Sequence, residues 1–105
     1  MSDVALDNFA AVHAAGAQVI DVREPAEYVA GHVPGAASIP MGQLPGRLAE
    51  IDRSRPVFVV CQAGGRSAAM ADVLLQHGYD AHSVTGGTAA WTTAGRPVDT
   101  APEAK

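Results

Sequence analysis

The sequence of 105 residues is short of cysteine, of aromatic residues and of positive charge. Its single cysteine can form neither an intramolecular disulfide nor a four-thiolate metal site, which indicates a reducing, cytoplasmic setting. With 7 basic and 11 acidic residues, the chain has no basic stripe to neutralise phosphates, so nucleic acid is not an expected partner. No apolar run approaches the length of a membrane span, and the first residues lack the features of a secretory signal, so no membrane partner is expected.

The chain has enough apolar residues for one folded domain. Hydrophobic residues make up 48% and charged residues 17%, which is typical of a compact globular protein. A chain of this length buries roughly two-thirds of its unfolded surface without needing disulfides or metals. We predict a single domain over residues 1–98. A flexible tail is predicted for 99–105, because this segment is polar and contains proline.

Short β-rich runs alternate with helical patterns along the chain. Strands are predicted at 19–22, 57–60 and 81–84, with weaker candidates at 3–5 and 36–39. Helices are predicted at 7–15, 25–30, 42–50 and 67–77, with a short one at 88–93. This alternation predicts an α/β fold with a parallel sheet covered on both faces. In such sheets, ligands bind outside the carboxyl ends of the strands.

The residue types at the predicted helix ends suit their positions. Asp7 is the predicted N-cap of the first helix, and Pro25 suits a first helical turn. Gly16 and Gly78 suit the position just after a helix. In the 67–77 helix, one stripe is expected to face the sheet, and it consists of Ala71, Leu74, Leu75 and Gly78.

The one cysteine stands where a predicted strand meets a glycine-rich turn. Residues 56–67 read PVFVVCQAGGRS, so Cys61 follows the β-branched run and precedes a helical segment. The N–H groups of such a loop and the positive end of the helix dipole point into the same small cup. A thiol held there loses its proton more easily, because its thiolate is stabilised. Cys61 is therefore the candidate nucleophile or sulfur carrier.

Four motifs in a fixed order make the chain similar to the single-domain rhodaneses, a family of sulfurtransferases. The motifs are VIDVREPAEY at 19–28, GHVPGA at 31–36, CQAGGRS at 61–67, and GGTAAW followed by GRP within 86–97. The resemblance implies a rhodanese-like fold with a five-stranded parallel sheet and helices on both faces. It also implies a cysteine that cycles between thiol and persulfide. No cofactor is expected, and no metal, since the histidines show no metal-ligand spacing.

The residues after Cys61 form the expected substrate-binding loop. Its members are Gln62, Ala63, Gly64, Gly65, Arg66 and Ser67, whose amides are expected to surround the sulfur. Arg66 is expected to attract an anionic donor, or alternatively to make a structural ion pair. Ser67 is expected to cap the following helix, or alternatively to donate a hydrogen bond to the sulfur.

Supporting roles are expected for residues of the other motifs. Asp21 and Arg23, with the nearby glutamates, are expected to form a structural network after their strand, and Asp21 could instead accept hydrogen bonds from the cysteine loop. His32 is expected to fix a turn, and Trp91 to pack in the core or at the rim of the cleft. The glycine pair at 86–87 is expected to let the backbone pass close to the cysteine loop.

These expectations favour a sulfurtransferase that moves a sulfane sulfur from a donor such as thiosulfate to cyanide or a thiol through a persulfide on Cys61. The alternative is a relay or regulatory module that exchanges persulfide with a partner protein, because Gln62 and Ala63 are not basic and few residues remain to build a substrate pocket. A phosphatase or arsenate reductase is disfavoured, because only four residues separate Cys61 from Arg66 where cysteine phosphatases have five. A non-catalytic binding domain is disfavoured because the cysteine is present.

Overall fold

Five parallel strands form one sheet in the computed structural model, which describes residues 3–100. The strands are β1 (Asp3–Val4), β2 (Gln18–Asp21), β3 (Ala37–Ser38), β4 (Val57–Val60) and β5 (Ala81–Val84). Their order across the sheet is β1-β5-β4-β2-β3, and every neighbouring pair is parallel. The predicted α/β class with a five-stranded parallel sheet is thus confirmed. The two weaker strand candidates exist as two-residue strands at the sheet edges.

Four α-helices connect the strands and cover both faces of the sheet. They are α1 (Leu6–Ala14), α2 (Pro25–Ala30), α3 (Gly65–Gln76) and α4 (Gly87–Thr93). Pro25 is the first residue of α2, as predicted, and Gly16 and Gly78 follow α1 and α3 with φ values of +89° and +85°. Within residues 3–100, no helix has both the length and the apolar character needed to cross a membrane.

The alternation of side chains along β4 divides the core into two clusters. Val57 and Val59 face one side of the sheet, whereas Phe58 and Val60 face the other. The first cluster also receives Cys61 and the buried apolar residues of α3, which are Met70, Ala71 and Leu74. The second cluster is richer in aromatic rings, and it includes Phe9, Tyr28 and Trp91. Cys61 therefore extends directly from the fully buried centre of the sheet.

The predicted helix at 42–50 is wrong. The segment forms two short 3₁₀-helices, Leu44–Gly46 and Leu48–Glu50. Their hydrogen bonds span three residues, as in the bond from Gly46 N–H to the Gln43 carbonyl. Pro45 explains the difference, because it has no N–H to donate to an α-helical ladder.

Two details of the predicted helices are also wrong. Helix α1 has Ala5 as its N-cap and begins at Leu6, because β1 ends at Val4 and leaves no room for a longer turn. Asp7 therefore lies in the first turn, where its negative charge is favourable with the helix dipole. In α3, Leu75 is exposed rather than packed on the sheet.

Asp99, the first residue of the predicted tail, is hydrogen-bonded to another segment of the chain. Asp99 and His32 each donate a backbone hydrogen bond to the other at 2.9 Å, which forms an antiparallel bridge. The segment is thus tied to the turn after α2. The rest of the predicted tail, residues 101–105, lies outside the described residues.

Candidate active site

The loop between β4 and α3 curls around the sulfur of Cys61. Cys61 follows the last residue of β4 and is 1% exposed. The N–H of Gly64 donates a hydrogen bond to Cys61 Sγ at 3.0 Å. Gly64 has a φ of +121°, a conformation that glycine adopts readily and that turns the loop back toward the cysteine. Helix α3 begins at the next residue, so its N-terminus adjoins the sulfur.

The surroundings of Cys61 favour its thiolate. Burial raises the pKa of the thiol, but the hydrogen bond with the Ser67 hydroxyl and those from the N–H groups of Ser67, Gly64 and Ala63 outweigh burial, so the pKa lies below its usual value. A lower pKa increases the fraction of thiolate, which is the nucleophilic form. The loop thus has the character expected of a reactive cysteine site.

Ser67 lies inside α3 rather than at its cap. Gly64 is the N-cap, because its positive φ is not helical, and it lies three residues before the predicted helix start. The Ser67 side chain is buried, and its Oγ lies 3.5 Å from Cys61 Sγ. It also donates to the Gly64 carbonyl at 3.1 Å. The expectation that Ser67 caps the helix is therefore wrong. Ser67 Oγ does contact the sulfur, but it accepts from the thiol, and its own proton goes to the Gly64 carbonyl.

Asp21 and Arg23 form a buried ion pair beside the loop. The Asp21 carboxylate accepts hydrogen bonds from the backbone N–H, Nε and Nη2 of Arg23, the last at 2.8 Å. Arg23 also donates from Nη2 to the Gly31 carbonyl and from Nη1 to Gln62 Oε1. Within residues 3–100, the carboxylate receives no recorded hydrogen bond from the loop amides. The structural network expected here is present, and it holds the Gln62 side chain.

Arg66 pairs with Glu27 of helix α2. Its two terminal nitrogens donate to the two carboxylate oxygens at 2.7 and 2.9 Å, and both side chains are 34% exposed. The hydrogen bonds from Arg66 lower the pKa of Glu27 to about 2, and the pairing raises the pKa of Arg66. The structural ion pair that the sequence left as an alternative therefore exists, so an incoming anion meets a guanidinium that already has a partner.

A cavity of about 520 Å³ opens beside the loop. Polar and apolar groups line it together, among them Arg23, Glu27, Gln62, Thr88 and Val98. It places Gln62, the first residue after the cysteine, at a surface open to small molecules. Among residues 3–100, no three His, Cys, Asp or Glu side chains cluster in a way that could hold a metal ion.

A second glycine turn supports the loop from the side of α4. A Cβ placed on Gly87 would lie 2.4 Å from the Cys61 carbonyl oxygen, so only glycine permits this approach. The close packing lets Thr88 N–H donate to the Cys61 carbonyl at 2.8 Å and Ala89 N–H to the Gln62 carbonyl at 3.0 Å. The expected close passage of the 86–87 turn is thus present.

Two other residues of the motifs are structural in this fold. His32 is buried, and its ring stacks on Tyr28 at 3.6 Å between centroids while Nδ1 bonds the Tyr28 carbonyl. Trp91 is buried against Phe9 and donates from Nε1 to the Pro97 carbonyl. Both support the segments that flank the cysteine loop without contacting the sulfur.

One residue of the site, Ser83, was missed by the sequence reasoning. Its Oγ lies 2.7 Å from Ser67 Oγ, and its side chain is buried. The available signal was a hydroxyl residue in the middle of the predicted 81–84 strand. Ser83 lies on the strand next to β4, in register with Val59.

The parallel sheet, the cysteine at a strand end and the amide cup at a helix N-terminus define an α/β protein of the sulfurtransferase type. A family model described as Rhodanese-like domain matches residues 6–94. The chain belongs to the rhodanese family.

Relatives and solved structures agree with this assignment. The chain is 38% identical over 86 residues to a protein of Allochromatium vinosum named sulfurtransferase, covering 81% of this chain and 79% of that one. It is 42% identical over 76 residues to YqhL of Bacillus subtilis, covering 71% of this chain and 60% of that protein. A rhodanese-related protein from Thermoplasma volcanium superposes with a TM-score of 0.89 at 29% identity, over 96% of this chain and 100% of that one. These findings support a sulfurtransferase-type function.

Proposed function

We propose that the protein moves a sulfane sulfur from a small donor such as thiosulfate to a thiol or cyanide, with Cys61 carrying the sulfur as a persulfide. The observation that supports this most directly is the Gly64 N–H bond to Cys61 Sγ, inside a cup where hydrogen bonds hold the thiol pKa below its usual value. The thiolate is both a strong nucleophile and a good leaving group, which a sulfur carrier needs.

The proposed reaction has two steps. In the first, the Cys61 thiolate attacks the outer sulfur of thiosulfate, the sulfur–sulfur bond of the donor breaks, and sulfite leaves with the bonding electron pair. In the second, an acceptor thiolate or cyanide attacks the outer sulfur of the persulfide, and the Cys61 thiolate leaves. Because Cys61 is the single cysteine, no second thiol of the chain can take the sulfur, and an external acceptor completes the cycle.

Arg66 and the loop amides have distinct roles in this proposal. The amides stabilise the anionic persulfide, since they are held in place before the charge arrives. Arg66 binds the sulfonate-like end of the donor, a group that a guanidinium can grip with two hydrogen bonds. To do so it exchanges part of its contact with Glu27 for the donor.

A relay module that exchanges persulfide with a partner protein is the second candidate. The pairing of Arg66 with Glu27 favours it, because the one cation of the loop is already neutralised. Gln62 is also uncharged and is held by Arg23, so the mouth of the site offers little positive charge to free thiosulfate. In this case a partner protein delivers or receives the sulfur at the same cysteine.

Intact mass spectrometry tests the proposal. The purified protein is measured before and after thiosulfate, and again after cyanide or dithiothreitol. We expect a gain of one sulfur atom that either reagent removes and that is absent from Cys61→Ala. A gain that persists in Cys61→Ala would contradict the role of Cys61. If thiosulfate adds nothing while a protein persulfide donor does, the relay function is favoured.

A single unpaired cysteine is also consistent with a reducing compartment, so we propose a cytoplasmic location. Fractionation of cells that produce the protein at its natural level checks this. Recovery mainly with secreted or membrane fractions would contradict it.

A further inference from the structure

Three buried atoms form a chain that starts at the sulfur and ends in the neighbouring strand. Cys61 Sγ lies 3.5 Å from Ser67 Oγ, which lies 2.7 Å from Ser83 Oγ. Ser67 is fully buried and Ser83 is 3% exposed. The steps proposed above use Cys61 but assign no role to either serine.

The direction of the hydrogen bond between the two serines follows from the available acceptors. The Ser83 hydroxyl has one proton, and Ser67 Oγ is its one recorded partner among residues 3–100. If Ser67 donated to Ser83 instead, the Ser83 proton would be buried without an acceptor, which is unfavourable. Ser83 therefore donates to Ser67. The proton of Ser67 is then available for the Gly64 carbonyl, which it bonds at 3.1 Å.

Loss of the thiol proton changes the hydrogen-bonding role of the sulfur. The thiol donates to Ser67 Oγ, but the thiolate, once its proton has left to a base in solution, can only accept. Rotation of the Ser67 hydroxyl from the Gly64 carbonyl to the sulfur supplies that donor. A hydrogen bond from Ser83 holds the oxygen in place during this rotation and polarises its O–H bond, because linked hydrogen bonds strengthen one another.

We propose that Ser83 is a positioning residue for the Cys61 sulfur: by donating to Ser67 Oγ, it leaves the Ser67 proton free to turn to the thiolate. The proposal rests on the proposed role of Cys61 as sulfur carrier, because the thiolate is the form that attacks the donor. It assigns Ser83 an action through Ser67 and no contact with the substrate.

The charged groups around the loop remain unchanged when Ser83 is replaced. They are Asp21 at the end of β2, Arg23 just after it, Glu27 in α2 and Arg66 in α3. His82, the titratable neighbour of Ser83 in β5, stacks on Phe58 on the opposite face of the sheet. A change in the titration of Cys61 therefore reports on the hydroxyl pair.

The test is the pH dependence of Cys61 alkylation by iodoacetamide, which is unambiguous because the chain has one cysteine. Ser83→Ala is expected to move the midpoint to higher pH and to slow alkylation at neutral pH by roughly two- to tenfold, the range of one hydrogen bond. In the Ser67→Ala background, Ser83→Ala is expected to have no further effect. An unchanged midpoint in Ser83→Ala, or an equal shift in both backgrounds, overturns the proposal.

A second pair of variants separates the hydroxyl from side-chain shape. The variants Ser83→Thr and Ser83→Val introduce side chains of nearly the same shape, and only threonine keeps the hydroxyl group. The threonine variant is expected to titrate at lower pH than the valine variant, and equal midpoints overturn the proposal. Alkylation requires no sulfur donor, so these results are independent of the mass experiment. A protein that fails to accept sulfur but shows the expected shifts contradicts the proposed function alone.

Discussion

Two arginine–carboxylate pairs adjoin the cysteine loop, and they differ in exposure. The side chains of Arg23 and Asp21 are 4% and 0% exposed, whereas those of Arg66 and Glu27 are both 34% exposed. The buried pair joins residues two apart in the chain, and the partly buried pair joins α2 to α3 across 39 residues. Burial makes the first pair costly to break, and access to water makes the second exchangeable.

We expect this difference in exposure to separate a purely structural ion pair from one that can also bind a donor anion. The guanidinium of Arg23 donates hydrogen bonds to Asp21, Gly31 and Gln62. These contacts within the protein account for its position without a bound ligand. Arg66 pairs with the Glu27 carboxylate, which in the proposed function a donor anion replaces in part. The four predictions below test this contrast, from the largest expected effect to the smallest.

Removal of Arg23 has the largest expected effect. Arg23→Met leaves the Asp21 carboxylate buried and uncompensated, which costs about 3–5 kcal/mol of the free energy of unfolding. Urea denaturation measures the loss. The control is Arg47→Met, which breaks an exposed pair with Glu50 and is expected to leave the midpoint close to that of the wild type. Equal midpoints for the two variants would contradict the structural role of the buried pair.

Removal of Arg66 is expected to affect activity more than stability. Arg66→Ala loses the charged hydrogen bonds to thiosulfate, so kcat/KM falls about 10- to 100-fold, while the free energy of unfolding changes by about 1 kcal/mol or less. Arg66→Lys keeps the charge but not the two-pronged grip, and an intermediate rate is expected. Steady-state assays with thiosulfate and cyanide provide the rates. Wild-type kcat/KM in the alanine variant would rule out donor binding by Arg66.

Removal of the negative charge of Glu27 is expected to release Arg66. Glu27→Gln lowers KM for thiosulfate by up to about tenfold, the equivalent of about 1.4 kcal/mol. Glutamine retains an oxygen for the capping hydrogen bond from the Glu24 N–H. Glu24→Gln is the matched control, because it removes the same charge nearby without touching Arg66. A higher KM in Glu27→Gln would mean that Glu27 positions Arg66 rather than competing for it.

The smallest expected effect is on stability in acid. The pKa of Glu27 lies at about 2 against an ordinary value of 4.5, so its contribution to stability is complete above pH 4.5 and is lost as the pH falls through about 2. The difference in free energy of unfolding between wild type and Glu27→Gln should therefore be constant near neutral pH and should shrink in acid. Because the pair is a third exposed, we expect about 1 kcal/mol or less. A difference that is the same at every pH would contradict the ion pair.

The sequence predicted the sheet and the cysteine loop well, because both have strong local signals. The runs at 57–60 and 81–84 match β4 and β5 in full, and the glycines after Cys61 mark the turn. Errors arose where a single residue overrides a pattern. Pro45 replaces a predicted α-helix by two 3₁₀-helices, and the positive φ of Gly64 moves the start of α3 ahead of Ser67.

The contacts between distant segments could not be predicted in the same way. The pairing of Arg66 with Glu27 depends on how α2 and α3 meet, and the Ser67–Ser83 contact depends on the register of β4 with β5. For neither contact does the local sequence indicate which distant residue is the partner. The sequence therefore identified the candidate reactive cysteine but not which distant residues contact its loop.

The hydrogen bonds from α4 also determine which way the loop peptides point. Thr88 and Ala89 bond the carbonyls of Cys61 and Gln62, and the N–H of a trans peptide points opposite to its carbonyl. The N–H groups of Gln62 and Ala63 are thus directed away from α4, and neither peptide can flip without losing a hydrogen bond. Rotation of either carbonyl toward the sulfur would cost one of these hydrogen bonds, so we expect the polarity of this part of the loop to be the same with and without a sulfur atom on Cys61.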